Sequence, residues 1–150
     1  YRGIHGDVPD GEHLVPLGQA RTARAGDDLV VIAWSYQVEV ACRVADSMAA
    51  EGLSVGVLDL RSLVPLDIAA IAGAVDHCGR AVVVEEAAQT GGFAGEVVAT
   101  IVEECFWSLE APVTRVSGFD VPYPVGMLEG AYVPDEARIA TAVRRTLEMA

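Results

Sequence analysis

Apolar positions along this 150-residue chain come in two alternating rhythms. Short continuous runs, LVVIAW (29–34), SVGVLDL (54–60), RAVVVEE (80–86) and PVTRVSG (112–118), read as buried strands. Between them the spacing shifts to three and four. Val38, Ala41, Cys42, Ala45, Met48 and Ala49 define one helix, with Ser35 as N-cap and Gly52 as stop. Ile68, Ile71, Ala72 and Val75 define a second, opened by Pro65 and Asp67 and closed by Gly79. Ala94, Val97, Val98, Ile101, Val102 and Cys105 give a third, ending near Trp107. Ile139, Ala142, Val143 and Leu147 give a C-terminal helix begun by Pro134 and Asp135. FDVPYPVGMLEGAYV reads as a long connection before that last helix.

Strands alternating with helices predict parallel strands joined by right-handed crossovers, with helices on both faces. One strand departs from the rule. QARTAR (19–24) lies only AGDD away from LVVIAW, which predicts an antiparallel hairpin or near-hairpin. The expected fold is therefore α/β, a three-layer α/β/α sandwich on about five strands, mostly parallel with one antiparallel edge strand. Residues 1–15, polar and rich in Gly and Pro, read as a linker or the remnant of a preceding domain, and 16–150 as the folded unit.

Composition narrows the partners. A hydrophobic fraction of 52% suits a packed core, and no apolar run reaches the roughly 18 residues of a membrane span. The net charge of −12 repels phosphate backbones and anionic membranes, so neither nucleic acid nor a membrane is an expected partner, and a protein partner would present basic residues. Cys42, Cys78 and Cys105 are too scattered for a metal cluster or disulfide framework, and read as reduced thiols of a cytoplasmic chain, with Cys42 and Cys105 on apolar helix positions. His77 falls at a helix end, where a cation suits the dipole.

Strand, glycines, helix is also the outline of a phosphate cradle, and VVVEEAAQTGGFAGEV (82–97) has that outline. The chemistry does not follow. Thr90 stands where a GxGxxG fingerprint needs its first glycine, no lysine occurs in the chain, and Glu85 and Glu86 put negative charge beside the anion seat. In the structural reading, Gly91 and Gly92 turn the backbone and Gly95 lets the helix pack close to the sheet. A third reading makes Glu85 and Glu86, with an exposed Phe93, a protein-contact surface at the strand ends. Elsewhere Asp59 and Arg61 suggest a local ion pair, and Glu103–Glu104 a solvated helix face. No nucleophile–base or metal-ligand spacing is present. The residues alone give an α/β domain without a self-contained active site.

Five collinear segments carry a resemblance: PLGQA, DLRSLVPLD, VVVEEAAQTGGFAGEV, EECFWSLEAPVTRVSGFDVPYP and YVPDEARIATAVRRTL. Together, from Pro16 onward, they resemble the C-terminal domain of the beta subunit of thiamine-diphosphate-dependent 2-oxo acid dehydrogenases, related to the transketolase C-terminal domain. The resemblance implies an oxidative decarboxylation of 2-oxo acids that acylates a lipoyl arm. It implies thiamine diphosphate and a divalent metal in the full enzyme, neither bound by this domain alone, and no catalytic, cofactor or metal residue here. The implied partners are the alpha subunit, a second beta subunit in a heterotetramer, and the basic subunit-binding domain of the lipoyl acyltransferase. By likeness of the TGGF, EECF and LEAP segments the branched-chain type is closer than pyruvate or acetoin enzymes. A stand-alone acidic interaction module is the alternative.

The interface candidates are Glu85, Glu86, Thr90, Gly91, Gly92, Phe93 and Glu110. The family's loop often reads HEAPLTGGF. Glu86, Thr90, Gly91, Gly92 and Phe93 match it, whereas Glu85 replaces the histidine, Ala88 the proline and Gln89 the leucine. Glu110 matches a position that by resemblance lies on the docking surface for the subunit-binding domain, the competing reading being an ordinary exposed carboxylate. Asp120, Pro122, Tyr123 and Pro124 match a loop whose prolines set a rigid path.

Overall fold

A computed structural model describes residues 6–7 and 10–149. Residues 1–5 and 8–9 of the expected linker lie outside the described residues. Residues 10–15 are exposed and carry no helix or strand.

Five strands form one sheet: β1 (Arg21–Arg24), β2 (Leu29–Ala33), β3 (Val55–Asp59), β4 (Ala81–Ala88) and β5 (Thr114–Gly118), in the order β1-β3-β2-β4-β5. β2 pairs in parallel with both β3 and β4, and β4 with β5. Among the described strands only β1 is antiparallel. The helices are α1 (Tyr36–Ala50), α2 (Ile68–Cys78), α3 (Ala94–Cys105), a four-residue α4 (Glu129–Tyr132) and α5 (Glu136–Glu148). Two cores follow from the alternation of side chains along the central strands. Leu29, Val31 and Ala33 of β2 join α1 and α5 on one face, while Val30 and Ile32 join α2 and α3 on the other. The predicted three-layer architecture is the observed one.

One pairing is different. β1 is the partner of β3, not of β2. The AGDD connection crosses the start of β3 instead of reversing on itself. Asp27 and Asp28 donate their N–H groups to the Ser54 carbonyl at 3.0 and 2.8 Å, and the Ser54 N–H donates to the Asp28 carboxylate. Gly26 lies so close to the Val55–Gly56 peptide that no side chain fits there. Fully buried β2 thus gains a parallel neighbour on each side, and half-polar β1 takes the edge.

Smaller expectations also shift. Asp67 caps α2 by accepting from the Ala70 N–H, and Gly79 ends it with φ 67°, both as expected. Ser35 occupies the N-cap of α1, but with φ 58° and without a side-chain capping bond. Val102 leaves the apolar stripe of α3 and is exposed, whereas Val98 stays partly buried against the core. Cys42 is half-exposed, while Cys78 and Cys105 are buried. Asp59 pairs with Arg21 across the β1–β3 ladder at 3.2 Å, and receives only the backbone N–H of Arg61. The long connection after β5 contains a 3-10 turn over Gly126–Leu128 and then α4.

Candidate functional site

The sequence places Glu85 at a strand end, but β4 continues three residues beyond it. Glu85 is fully buried. One carboxylate oxygen accepts the Ala94 N–H at 2.9 Å, the other the Ser117 hydroxyl at 3.0 Å. A carboxyl side chain therefore sits on the N-terminus of α3, satisfying one of the donors that a helix start leaves open. The same carboxylate fills the place where a side chain on Gly92 would be, and the Ala88 carbonyl lies 2.5 Å from that position. The glycine pair divides its work: Gly91 supplies a left-handed turn (φ 77°), and Gly92 supplies room. Gly95 is different from expectation. A Cβ there would meet only the Arg115 guanidinium, at 3.6 Å, so close packing does not require it.

This geometry replaces the exposed acidic pair with an internal tie. Glu85 faces inward and only Glu86 is partly exposed. Phe93 is half-buried as well, packed edge-on against Trp34 with centroids 6.2 Å apart. A diphosphate does not fit this loop, because the Ala94 N–H that would hold it is already given to Glu85. Among the described residues no three His, Cys, Asp or Glu side chains are grouped to hold a metal ion.

The tip of the loop is held from the next connection. Thr90 donates both its backbone N–H (2.8 Å) and its hydroxyl (2.7 Å) to the Asp120 carboxylate. Those bonds hold the Asp120 carboxyl below the usual carboxylate range. Gln89 N–H donates to the Gly118 carbonyl, and Arg115 to the Gln89 carbonyl. The turn after β4 and the segment after β5 are thus one rigid ledge.

Beyond that ledge the chain exposes apolar side chains the periodicity does not explain: Val121, Tyr123, Val125, Met127 and Leu128, with Met127 fully exposed. Contiguous apolar exposure of this kind marks contact surfaces. Tyr123 is anchored by donating its hydroxyl to Glu129 at 2.6 Å, which pushes its pKa up to about 12.

Glu110 is elsewhere. It lies before β5, beside Gly79 at the start of β4, whereas the 89–93 loop follows the end of that strand. Eight residues of β4 put roughly 25 Å between the two groups. Glu110 is exposed but paired with Arg80 at 2.5 Å. Its surroundings include Phe106, Trp107, Val102, Leu109 and Pro112, which line an open cavity of about 590 Å³. Trp107 is 93% exposed. The sequence signal for this second patch is available: Val98, Val102 and Phe106 recur at a spacing of four and run on into Trp107.

Comparison with known proteins agrees with this architecture. The transketolase C-terminal domain matches residues 18–139. The chain is 45% identical over 142 residues to the pyruvate dehydrogenase E1 component subunit beta of Leifsonia xyli subsp. xyli, covering 95% of this chain and 42% of that protein. It is 40% identical over 149 residues to the mitochondrial 2-oxoisovalerate dehydrogenase subunit beta of Dictyostelium discoideum, covering 98% and 40%. A solved split-gene transketolase, an inactive beta4 tetramer, matches with a TM-score of 0.80 at 25% identity, over 96% of this chain and 46% of that one. The chain spans about two fifths of the length of these curated relatives.

Proposed function

The chain belongs to the transketolase C-terminal domain family, and from that premise we propose that it is the C-terminal domain of the beta subunit of a 2-oxo acid dehydrogenase component. In this reading residues 16–150 form the domain, and its role is assembly and docking. The observation that carries the proposal is the pair of apolar surfaces at opposite ends of the sheet, one at Val121–Leu128 and one at Phe106–Trp107, on a domain whose own glycine loop is closed by Glu85.

The ledge formed by Thr90, Gly91 and Asp120 presents the first surface to the alpha subunit or a second beta subunit. Glu86 and Phe93 flank it, and Glu85 and Gly92 set its shape from inside. Glu110, with Phe106 and Trp107, presents the second surface to the basic subunit-binding domain of a lipoyl acyltransferase. The full enzyme would use thiamine diphosphate and a divalent metal, supplied with donors from outside this domain, to decarboxylate a 2-oxo acid and acylate a lipoyl arm. The enzyme is read as cytoplasmic.

For the substrate, the TGGF, EECF and LEAP segments favour a branched-chain 2-oxo acid. A pyruvate dehydrogenase is the second reading, favoured by the 45% identity to the Leifsonia subunit.

Two measurements test the proposal. Titration calorimetry of the 150-residue chain with thiamine diphosphate and magnesium is expected to give no binding; tight binding by the chain alone overturns it. In a full-length beta subunit co-expressed with its alpha subunit, Val125→Asp with Met127→Asp is expected to abolish the heterotetramer. An unchanged assembly would remove the first surface from the proposal.

A further inference from the structure

This chain carries 22 acidic and 10 basic residues, so a carboxylate partner is available for nearly every arginine. Five of the described arginines take one: Arg21, Arg24, Arg43, Arg80 and Arg144 pair with Asp59, Asp46, Glu136, Glu110 and Glu51. Arg115, Arg138 and Arg145 form no ion pair with a carboxylate among the described residues, and all three line one open groove of about 420 Å³ along the outer edge of β5 beside α5. In so acidic a protein, three cations without an ion-pair partner along one groove draw an anion.

The groove is built rather than incidental. Arg115 projects from the α3 side of the β5 edge, its guanidinium beside Gly95, and is fixed by donating to the Gln89 carbonyl at 3.1 Å. Arg138 donates to the Ser117 and Tyr132 carbonyls and stacks its guanidinium over Phe119, 4.6 Å from the ring centre. These acceptors orient the two cations and neutralise neither. Arg145 lies two turns further along α5, exposed, with Thr141 between. Asp135 also lines the groove, where its carboxylate caps α5 through the Arg138 N–H; it offsets one charge of the three. Asp120 attracts Arg115 from the ledge side and offsets part of its charge, while its oxygens accept from Thr90.

We infer that this groove docks an extended acidic segment of a partner polypeptide, whose carboxylates meet Arg115, Arg138 and Arg145 along the free side of β5. Three features select that occupant. β5 is an edge strand, with no described strand beyond it. Arg138 and Arg145 are seven residues apart on one helix, roughly 10 Å along its axis, a span an extended chain bridges and a single compact anion does not. A second copy seated symmetrically would bring the same three cations face to face. The inference is independent of the assembly reading above, because neither apolar surface contributes to the groove.

The test uses the 150-residue chain and a fluorescein-labelled hexaglutamate peptide, read by fluorescence anisotropy, with each variant first checked by thermal melting. Saturable binding is expected despite the net charge of −12, weakening steeply between about 0.02 and about 0.2 M salt. Arg115→Ala with Arg145→Ala should raise Kd at least about tenfold, whereas Arg61→Ala, outside the groove, should leave it unchanged. No saturable binding at low salt, or equal binding by the double variant, overturns the inference. Displacement by citrate mole for mole overturns it in favour of a small-anion site. Light scattering that shows a dimer lost in the double variant overturns it in favour of a second copy.

Discussion

The Glu85 carboxylate occupies the place that any side chain on Gly92 would need. Seven residues apart in sequence, the two are a matched pair: one fills a buried space and the other leaves it open. Gly92→Ala would push into both that carboxylate and the Ala88 carbonyl, so a loss of about 1–3 kcal/mol is expected. Glu85→Ala removes the acceptor of the buried Ala94 N–H and Ser117 hydroxyl, and should cost about 1–3 kcal/mol as well. Urea denaturation of both single variants and the double checks the pairing. The double should cost less than the sum of the two, because the clash with the carboxylate disappears and only that with the Ala88 carbonyl remains.

The glycines elsewhere sort by what surrounds them. Gly73 lies inside α2 with nothing within 4 Å of an added Cβ. Gly73→Ala should therefore raise stability by about 1 kcal/mol through helix propensity. Gly26→Ala would collide with the Gly56 backbone and should lower the denaturation midpoint sharply. Opposite signs in one denaturant series are the expected result.

Asp67 holds two segments at once. One oxygen caps α2 through the Ala70 N–H, and the other accepts the Ala20 N–H ahead of β1 at 2.9 Å. Asp67→Ala should cost about 0.5–2 kcal/mol for the cap alone. Amide hydrogen exchange should also show loss of protection at Ala20, 47 residues away.

The Thr90–Asp120 tie gives the ledge a pH limit. Because the folded-state pKa of Asp120 is lowered, its stabilisation is present above the unfolded value of about 4 and fades as pH falls through the folded one. The melting temperature of Asp120→Asn should lie below that of the native chain near neutrality, and the gap should close in acid. A gap independent of pH would mean that the charge of Asp120 is not what matters.

At the alkaline end Tyr123 reverses the sign. Its folded pKa is raised to about 12 by the bond to Glu129, so the contribution is complete below the unfolded value of about 10 and is lost as pH climbs toward 12. Absorbance titration near the tyrosinate band should show one tyrosine ionising late. Tyr123→Phe or Glu129→Gln should remove that late step.

The order of elements, the cap at Asp67, the stop at Gly79 and the two-sided burial of β2 could be read from the sequence, because each depends on residues within a few positions of one another. Apolar periodicity and cap chemistry are local, and the chain states them directly. Which strands touch is a different matter. β1 and β2 are separated by only the AGDD connection, yet the contacts of Asp27, Asp28 and Gly26 with the start of β3 send β1 to the far side of β3, and those contacts join segments distant in sequence. Glu85 shows the same division. Its charge and its place after a valine run are sequence facts, and they suggest an exposed strand end. Its burial depends on β5 bringing Ser117 alongside and on α3 starting at Ala94, and no local pattern encodes either. The alignment of Arg115, Arg138 and Arg145 likewise needed β5 and α5 to meet. Local spacing determined the elements, and long-range packing decided which charges are buried, paired or left facing solvent.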